Sequence, residues 1–309
     1  MGGGRLHRRR DLPDLEDAAR VIPSDLAVVV VNHNAGAYLE RCLRSVLGAA
    51  AGIELDVVVV DNASTDGSAR VAVGAHPQAR LVETGENRGF AAGVNVGIRE
   101  TDAPFVFVLN PDAEIWEGTL DGFVKVAREH PRAGAIGPLV RNSDGTVYAT
   151  GRIVPTIGTA LGHAFLGPFL PDNRFSRRYR LADWDRRTER EVDWVSGSAF
   201  LLRREALDEV GLLDEGFFLY AEEVDLFTRL RRAGWSILYT PELEVIHEGG
   251  VSTGRSRRMH LLHSRSVARY FAKHHGRGWR LPLVPLVRLG LRARAELVSL
   301  RDAVRRRRP

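Results

Sequence analysis

Apolar and polar positions fall in blocks along this chain, and the period changes from block to block. Residues 26–31 form a continuous apolar run, mostly valine, the pattern of a strand buried on both faces. Residues 55–60 and 105–109 repeat it. Between these runs, residues 36–47 carry helical spacing at Leu39, Leu43, Val46 and Leu47. Helices are also predicted over 68–75, with Asp66 as N-cap, over 90–99 and over 120–129. Residues 80–83 suggest a short strand, and 133–140 close the first half. Strand alternating with helix predicts an α/β fold, a mainly parallel sheet with covering helices.

The pattern then breaks. Residues 141–192 mix Gly, Pro, Arg and aromatic side chains without a clean period and are expected to be an irregular, loop-like insertion. Order returns at 193–202, followed by a helix from Glu205 and an amphipathic helix over 222–233 that Gly234 ends. Strands are predicted over 235–239 and 243–247, and a helix over 259–273. The expected organisation is a basic leader, 1–25, and a catalytic domain, 26–256. That domain divides into a nucleotide-sugar half, 26–140, the insertion, 141–192, and an acceptor and catalytic half, 193–256. A basic helical segment, 257–309, ends the chain.

Composition narrows the choices. The 309 residues are 44% hydrophobic, enough for a substantial core. The single cysteine, Cys42, excludes an internal disulfide framework and a cysteine-based zinc site. No apolar run reaches the length of a membrane span, and no signal core follows the basic start, so a cytoplasmic location is expected. The formal charge is +5, concentrated in arginines at the two ends, and the only lysines are Lys125 and Lys273. Basic ends suit either a solvated tail or an anionic surface.

Candidate chemistry gathers at predicted strand tips, where open α/β sheets bind ligands. Asn110-Pro111-Asp112 follows the third long apolar run, with Glu114 two residues on. A carboxylate there can hold a divalent metal that in turn holds a diphosphate, and the same tripeptide also makes a turn. Asp61 and Asn62 end the second run, suited to ribose hydroxyls or a base N–H, and Asn32 and Asn34 end the first. The dinucleotide fingerprint Gly-x-Gly-x-x-Gly is missing after the first strand, which argues against a nicotinamide oxidoreductase. In the stretch 86–95, Arg88 could neutralise a diphosphate that Gly89 and Gly93 let approach, and Asn95 could bond a sugar or base. The small residues there also suit tight helix–sheet packing.

The sharpest acidic cluster is Glu222-Glu223-Val224-Asp225, directly after Phe217, Phe218 and Tyr220. On a helix the two glutamates point about 100° apart, and Glu222 shares a face with Asp225. Like charges beside apolar side chains raise a carboxyl pKa, which suits a general base; acids at a helix start also complement its dipole. His247, after the last predicted strand, is a candidate metal ligand or a structural histidine.

In this order the blocks resemble the family 2 glycosyltransferases of GT-A fold, over residues 26–256, and within them the bacterial rhamnosyltransferase-type enzymes of cell-surface glycan synthesis. The resemblance implies a GT-A-like nucleotide-binding sheet with a C-terminal helical segment. It implies donor binding by Asn32, Asn34, Asp61, Asn62, Arg88, Gly89, Asn95, Asn110 and Asp112, and acceptor binding by Trp194, Gly197 and Ser198 in the loop 193–198. It places a divalent metal, Mg or Mn, on Asp112 and His247, with Asn110 where the family has the first acid of its DxD motif. Glu222-Glu223 matches the family's Glu-Asp pair, so Glu223 takes the place of the base, one methylene longer.

The implied reaction is an inverting transfer of a sugar, best guessed as rhamnose from dTDP-rhamnose. Its implied acceptor is a lipid-linked or cell-surface glycan carried on a polyprenyl diphosphate. Alternative functions are a nucleotidyltransferase and a non-catalytic nucleotide-sugar-binding module. Nucleic-acid binding is not expected, because the terminal arginines lack interleaved aromatics. Residues 276–297 intersperse arginine with Leu286, Leu289, Ala293 and Leu297 on one stripe of a helix that starts near Leu286, after Pro282 and Pro285. That stripe suits either packing on the domain or an anionic membrane surface, which would make the protein peripheral on the inner face of the plasma membrane.

Overall fold

A computed structural model describes residues 24–306 apart from 155, 168, 169, 171 and 250–255. The leader up to residue 23 and the side chains of the terminal arginine run lie outside the described residues.

The first half alternates as the periodicity predicts: β1 (Leu26–Asn32), α1 (Ala37–Ala49), β2 (Leu55–Asp61), α2 (Ser68–Ala75), β3 (Ala79–Glu83), α3 (Phe90–Arg99) and β4 (Phe105–Leu109). A short β5 (Ala113–Ile115), α4 (Thr119–Glu129) and β6 (Ala133–Asn142) follow. The second half holds β7 (Val147–Tyr148), α5 (Ile157–Leu166), α6 (Arg174–Arg180), β8 (Arg190–Val192), β9 (Ala199–Arg203), α7 (Arg204–Val210), α8 (Glu222–Arg232) and β10 (Ser236–His247). It ends in α9 (Arg257–His275) and α10 (Leu283–Arg306).

The strands form one sheet in the order β3-β2-β1-β4-β9-β6-β10-β5. Strands β3, β2, β1 and β4 are mutually parallel, and β9 runs antiparallel between β4 and β6. Residues of β1, β2 and β4 are buried on both faces, which explains their unbroken apolar runs. Alternate residues feed two cores. Val28, Val30, Val57 and Val59 meet α1 and α4 on one side; Val29, Val31, Val58 and Val60 meet α3 on the other. Gly93 and Gly97 of α3 lie so close to the sheet that an added Cβ would fall 2.7 Å from Val31 and 2.3 Å from Val29.

Four local expectations are corrected. Residue 67, a glycine in the left-handed region, caps α2, while Asp66 accepts from the Ser68 N–H and the Gly36 N–H and so ties α2 to the loop after β1. The predicted strands 235–239 and 243–247 are one strand, β10, whose register against β6 shifts between Thr240 and Glu244 because Pro241 has no N–H for the ladder. The stretch 141–192 carries α5 and α6, whose sequences, IGTALGHAFL and RFSRRYR, alternate no apolar and polar faces that a helical period would show. Helix α10 begins at Leu283, with Pro285 in its first turn, where the missing N–H costs nothing. Its Leu291 and Ala295 are buried, whereas Leu286 and Leu289 are 64% and 67% exposed. One face of this helix is packed and the other is open to solvent. Among the described residues no helix is long and apolar enough to cross a membrane.

Candidate active site

The carboxyl ends of β1, β2 and β4 and the N-terminus of α8 open on one cavity of about 1350 Å³. Strand register explains how distant residues meet there. After β4 the chain turns through Asn110-Pro111-Asp112, with the Asn110 N–H donating to the Ser198 carbonyl and the Ala113 N–H to the Asn110 carbonyl. It then forms β5, which pairs antiparallel with the end of β10 so that Ala113 faces His247. Asp112 is therefore carried to His247: its Oδ1 lies 3.1 Å from Nε2, and the Glu248 N–H donates to its carbonyl. The Asn110 side-chain nitrogen is 3.2 Å from the same Nε2. The tripeptide does make a turn, and that turn is what brings Asp112 to His247. Glu114 leaves the site and pairs with Arg41 of α1 instead.

The acidic pair is presented by a strained entry into α8. Tyr220 and Ala221 both have positive φ, 71° and 66°, an uncommon conformation for residues with a Cβ. The preceding loop is fixed by the Phe90 N–H, which donates to the Phe218 carbonyl. Gly89, at φ +88°, makes this possible, since a Cβ there would fall 2.3 Å from that carbonyl. Gly89 thus serves the close approach of two loops, a role the diphosphate reading did not anticipate.

Glu222 and Glu223 both border the cavity, and among the described residues neither Oε2 has a hydrogen-bond partner. Burial pushes the Glu222 pKa well above the usual carboxylate range, and the neighbouring Glu223 charge pushes it further. Burial also raises Glu223, but the Arg152 guanidinium opposes the shift. Both carboxyls are thus raised by burial, and the Arg152 charge favours the ionised form of Glu223. Gly197 faces Glu223, with its Cβ position 3.5 Å from the carboxyl carbon. Asp225 does not share the site. It accepts from Arg229, Lys273 and His274, which hold its pKa down at about 2 despite burial, and it ties α8 to α9.

Asn62, Gly89, Asn110, Asp112, Trp194, Gly197, Ser198, Glu222, Glu223 and His247 are brought together at the cavity, and Asn32, Asn34, Asp61, Arg88 and Asn95 do not border it. Asn32 is buried with its amide nitrogen 2.9 Å from oxygens of Asp61, Ser64 and Ser68, and the Asp61 carboxylate also accepts the Ser64 N–H. Asn34 accepts from the Thr65 N–H. These polar groups brace the loop after β2, because buried polar atoms must be satisfied. Asn62 serves both purposes: it lines the cavity, donates to the Gly89 carbonyl and accepts the Arg88 N–H. Asn95 bonds the backbone of Leu213 and, with Arg88, the carboxylate of Glu215.

Several cavity residues were not anticipated. His33 borders it and bonds the Asn62 carbonyl at 3.0 Å. Arg152 stacks on Trp194, Tyr179 and Tyr148, and no carboxylate lies within ion-pair distance of it among the described residues. Its signal in the sequence was weak: one arginine among many, in a stretch without a period.

Known proteins show the same organisation. The model of the glycosyl transferase family 2 matches residues 27–211. An N-acetylglucosaminyl-diphospho-decaprenol L-rhamnosyltransferase of Mycobacterium tuberculosis is 40% identical over 295 residues, 92% of this chain and 95% of that protein. The low-salt glycan biosynthesis hexosyltransferase Agl10 of Haloferax volcanii is 26% identical, over 75% of this chain and 69% of its own length. The solved mannosyltransferase PcManGT of Pyrobaculum calidifontis, in complex with GDP-Man and Mn2+, shares the fold with a TM-score of 0.56 at 20% identity. The match covers 92% of this chain and 76% of that one. Sheet order, site geometry and the match over 27–211 agree: the chain belongs to glycosyl transferase family 2.

Proposed function

We propose that this glycosyltransferase moves L-rhamnose from dTDP-rhamnose to a hydroxyl of an N-acetylglucosamine carried on a polyprenyl diphosphate. The observation that carries this reading is the 40% identity, over nearly the whole of both chains, with the mycobacterial enzyme of that name.

The site suits a single inverting displacement. Glu223, ionised beside Arg152, takes the proton of the acceptor hydroxyl as that oxygen attacks the anomeric carbon. Glu222 keeps its own proton and so adds no second negative charge next to the base. Trp194, Gly197 and Ser198 border the same space and orient the acceptor sugar. Asn62, Asn110 and Asp112 lie on the donor side, and Asp61 and Asn32 act through the loop they brace.

A divalent cation fits Asp112 and His247, a carboxylate oxygen and an imidazole nitrogen side by side at the cavity. Among the described residues they do not extend to a cluster of three ligating side chains, as befits a cation whose other ligands include substrate phosphates. The mannosyltransferase complex of the same fold holds Mn2+. Such a cation neutralises the departing diphosphate. The exposed apolar side chains of α10, among arginines, support a peripheral position on the anionic cytoplasmic leaflet, where such an acceptor resides.

The test is to incubate the full chain with a panel of nucleotide sugars, Mg or Mn, and an N-acetylglucosaminyl diphosphate lipid. Addition of one deoxyhexose from dTDP-rhamnose is expected. Transfer of a different sugar corrects the donor, and no transfer from any donor contradicts the reading.

A further inference from the structure

The cavity is longer than the chemistry needs. Beyond Glu222 and Glu223 it continues between α5, α9 and α10, where Phe165, Val267, Phe271, Val287, Gly290 and Leu291 line it. Gly290 opens this groove, since its Cβ would meet the Phe165 ring at 3.2 Å. The junction between the two parts is cationic. Arg152, Arg180 and Arg294 all border the cavity, and their charges reach the same histidine, His163. Burial foremost, then these arginines, hold His163 down at about 4, and burial with Arg294 does the same to His263. Both imidazoles are therefore neutral at physiological pH, so the positive charge rests on guanidinium groups. Among the described residues neither Arg152 nor Arg180 forms an ion pair with a carboxylate; Arg152 acts on Glu223, and three guanidinium groups against that one acid leave the junction net positive and suited to an anion.

Resting on the proposed acceptor, we infer that this extension is a subsite for the acceptor's prenyl diphosphate. The arginine junction takes the two phosphates, and the α5–α9–α10 groove takes the first isoprene units. Neighbouring groups link three chemistries in turn around the cavity: Arg152 acts on the base Glu223, Arg152, Arg180 and Arg294 all act on His163 of α5, and Phe165 of that helix lies against Gly290 of α10 in the apolar groove. A sugar, a diphosphate and an isoprenoid occur in the same order along the proposed acceptor. Charge complementarity fixes the register, because only one way of laying that molecule in the cavity brings its phosphates to the arginines and its sugar hydroxyl to Glu223. Arginine suits the phosphates through its planar, multiply donating head.

The test compares two soluble acceptors, N-acetylglucosaminyl diphosphate esterified to farnesol and to methanol, with the full chain and dTDP-rhamnose. Wild type should show a KM at least ~10-fold lower for the farnesyl acceptor, a small part of what burying that chain offers. Val287→Trp should fill the groove and bring the ratio of the two KM values near 1. Leu286→Glu, an exposed change at the mouth that leaves the core intact, should also reduce it. Arg152→Gln should raise both acceptor KM values together and leave the ratio intact. Equal KM values in wild type, or a ratio that both groove variants preserve, overturn this subsite while the proposed function stands. So does a farnesyl preference that appears only with added anionic phospholipid vesicles and survives Val287→Trp, which would assign the apolar face to the bilayer. No transfer to either acceptor overturns the proposed acceptor and this inference with it.

Discussion

The two sides of the cavity are built in opposite ways. On the donor side, at the tips of β1 and β2, the polar groups are tied to one another, Asn32 with Asp61, Asp61 with Ser64, Asn34 with Thr65 and Asp66 with Ser68, and only the Asn32 Oδ1 there lacks a partner among the buried side-chain atoms of the described residues. On the acceptor side the polar groups stand apart. Glu222 and Glu223 keep oxygens without hydrogen-bond partners among the described residues, and Arg152 rests on aromatic rings, acting on Glu223 through its charge without an ion pair among the described residues. A satisfied network makes a rigid frame; separated charges in a buried site are held ready for a substrate to complete them. Substitutions in the bonded frame at the tips of β1 and β2 should thus act on stability, and those at the charged groups that border the cavity on turnover.

The largest effect should come from Glu223→Gln, which is expected to lower kcat at least ~100-fold with donor affinity retained, the lower bound for losing a general base. Steady-state kinetics with isothermal titration of the donor nucleotide checks it, and a larger loss in Glu222→Gln would move the base to Glu222. Asp112→Ala should abolish metal-dependent transfer while the circular dichroism spectrum stays unchanged. Full activity of wild type in EDTA would remove the cation from the account. On the frame side, Asn32→Ala should cost about 1–3 kcal/mol in urea unfolding, since it leaves the Asp61 carboxylate without its buried donor. A kcat loss without that destabilisation would end the contrast drawn here.

The smallest effects concern pH, and they run in opposite senses on the two sides of α8. Glu223 must be ionised to act, so the transfer rate should rise with pH through its raised pKa. Arg152→Gln should move that rise to higher pH, because the opposing charge is gone. For stability, a folded state that binds more protons than the unfolded one loses stability as pH rises. Glu222 should therefore weaken the fold as pH climbs from the ordinary carboxylate range through its raised pKa, and Glu222→Gln should remove that slope in thermal melts. Asp225 behaves in reverse. Its contribution is complete above its ordinary value of 3.8 and disappears as pH falls through about 2.

This division also explains what could be read from the sequence. The sheet was legible because β1, β2 and β4 are buried on both faces and must be apolar throughout. Asp112, His247 and Glu222-Glu223 were legible because each sits at the end of such an element. Asn32 and Asp61 were assigned to the donor because they end strands, and Asn95 from the Gly-rich stretch before it; in the structure all three bond to their neighbours and do not border the cavity, since sequence position does not say which way a side chain turns. Helices α5 and α6 escaped because one is apolar and the other basic along most of its length, and they pack on each other through contacts such as the Phe175 ring under Gly162. Arg152 escaped with them, since its meaning depends on Trp194, Tyr179 and Tyr148 closing around it.

The central claim is that Glu223 deprotonates an acceptor hydroxyl that displaces the nucleoside diphosphate in one step. The most direct measurement is the anomeric configuration of the product formed from dTDP-rhamnose and the prenyl-linked acceptor, read by nuclear magnetic resonance alongside the nucleotide released. The account expects an inverted linkage, dTDP in equal amount to product, and loss of both in Glu223→Gln. A retained linkage, release of a nucleoside monophosphate, or unaltered turnover in Glu223→Gln would contradict it.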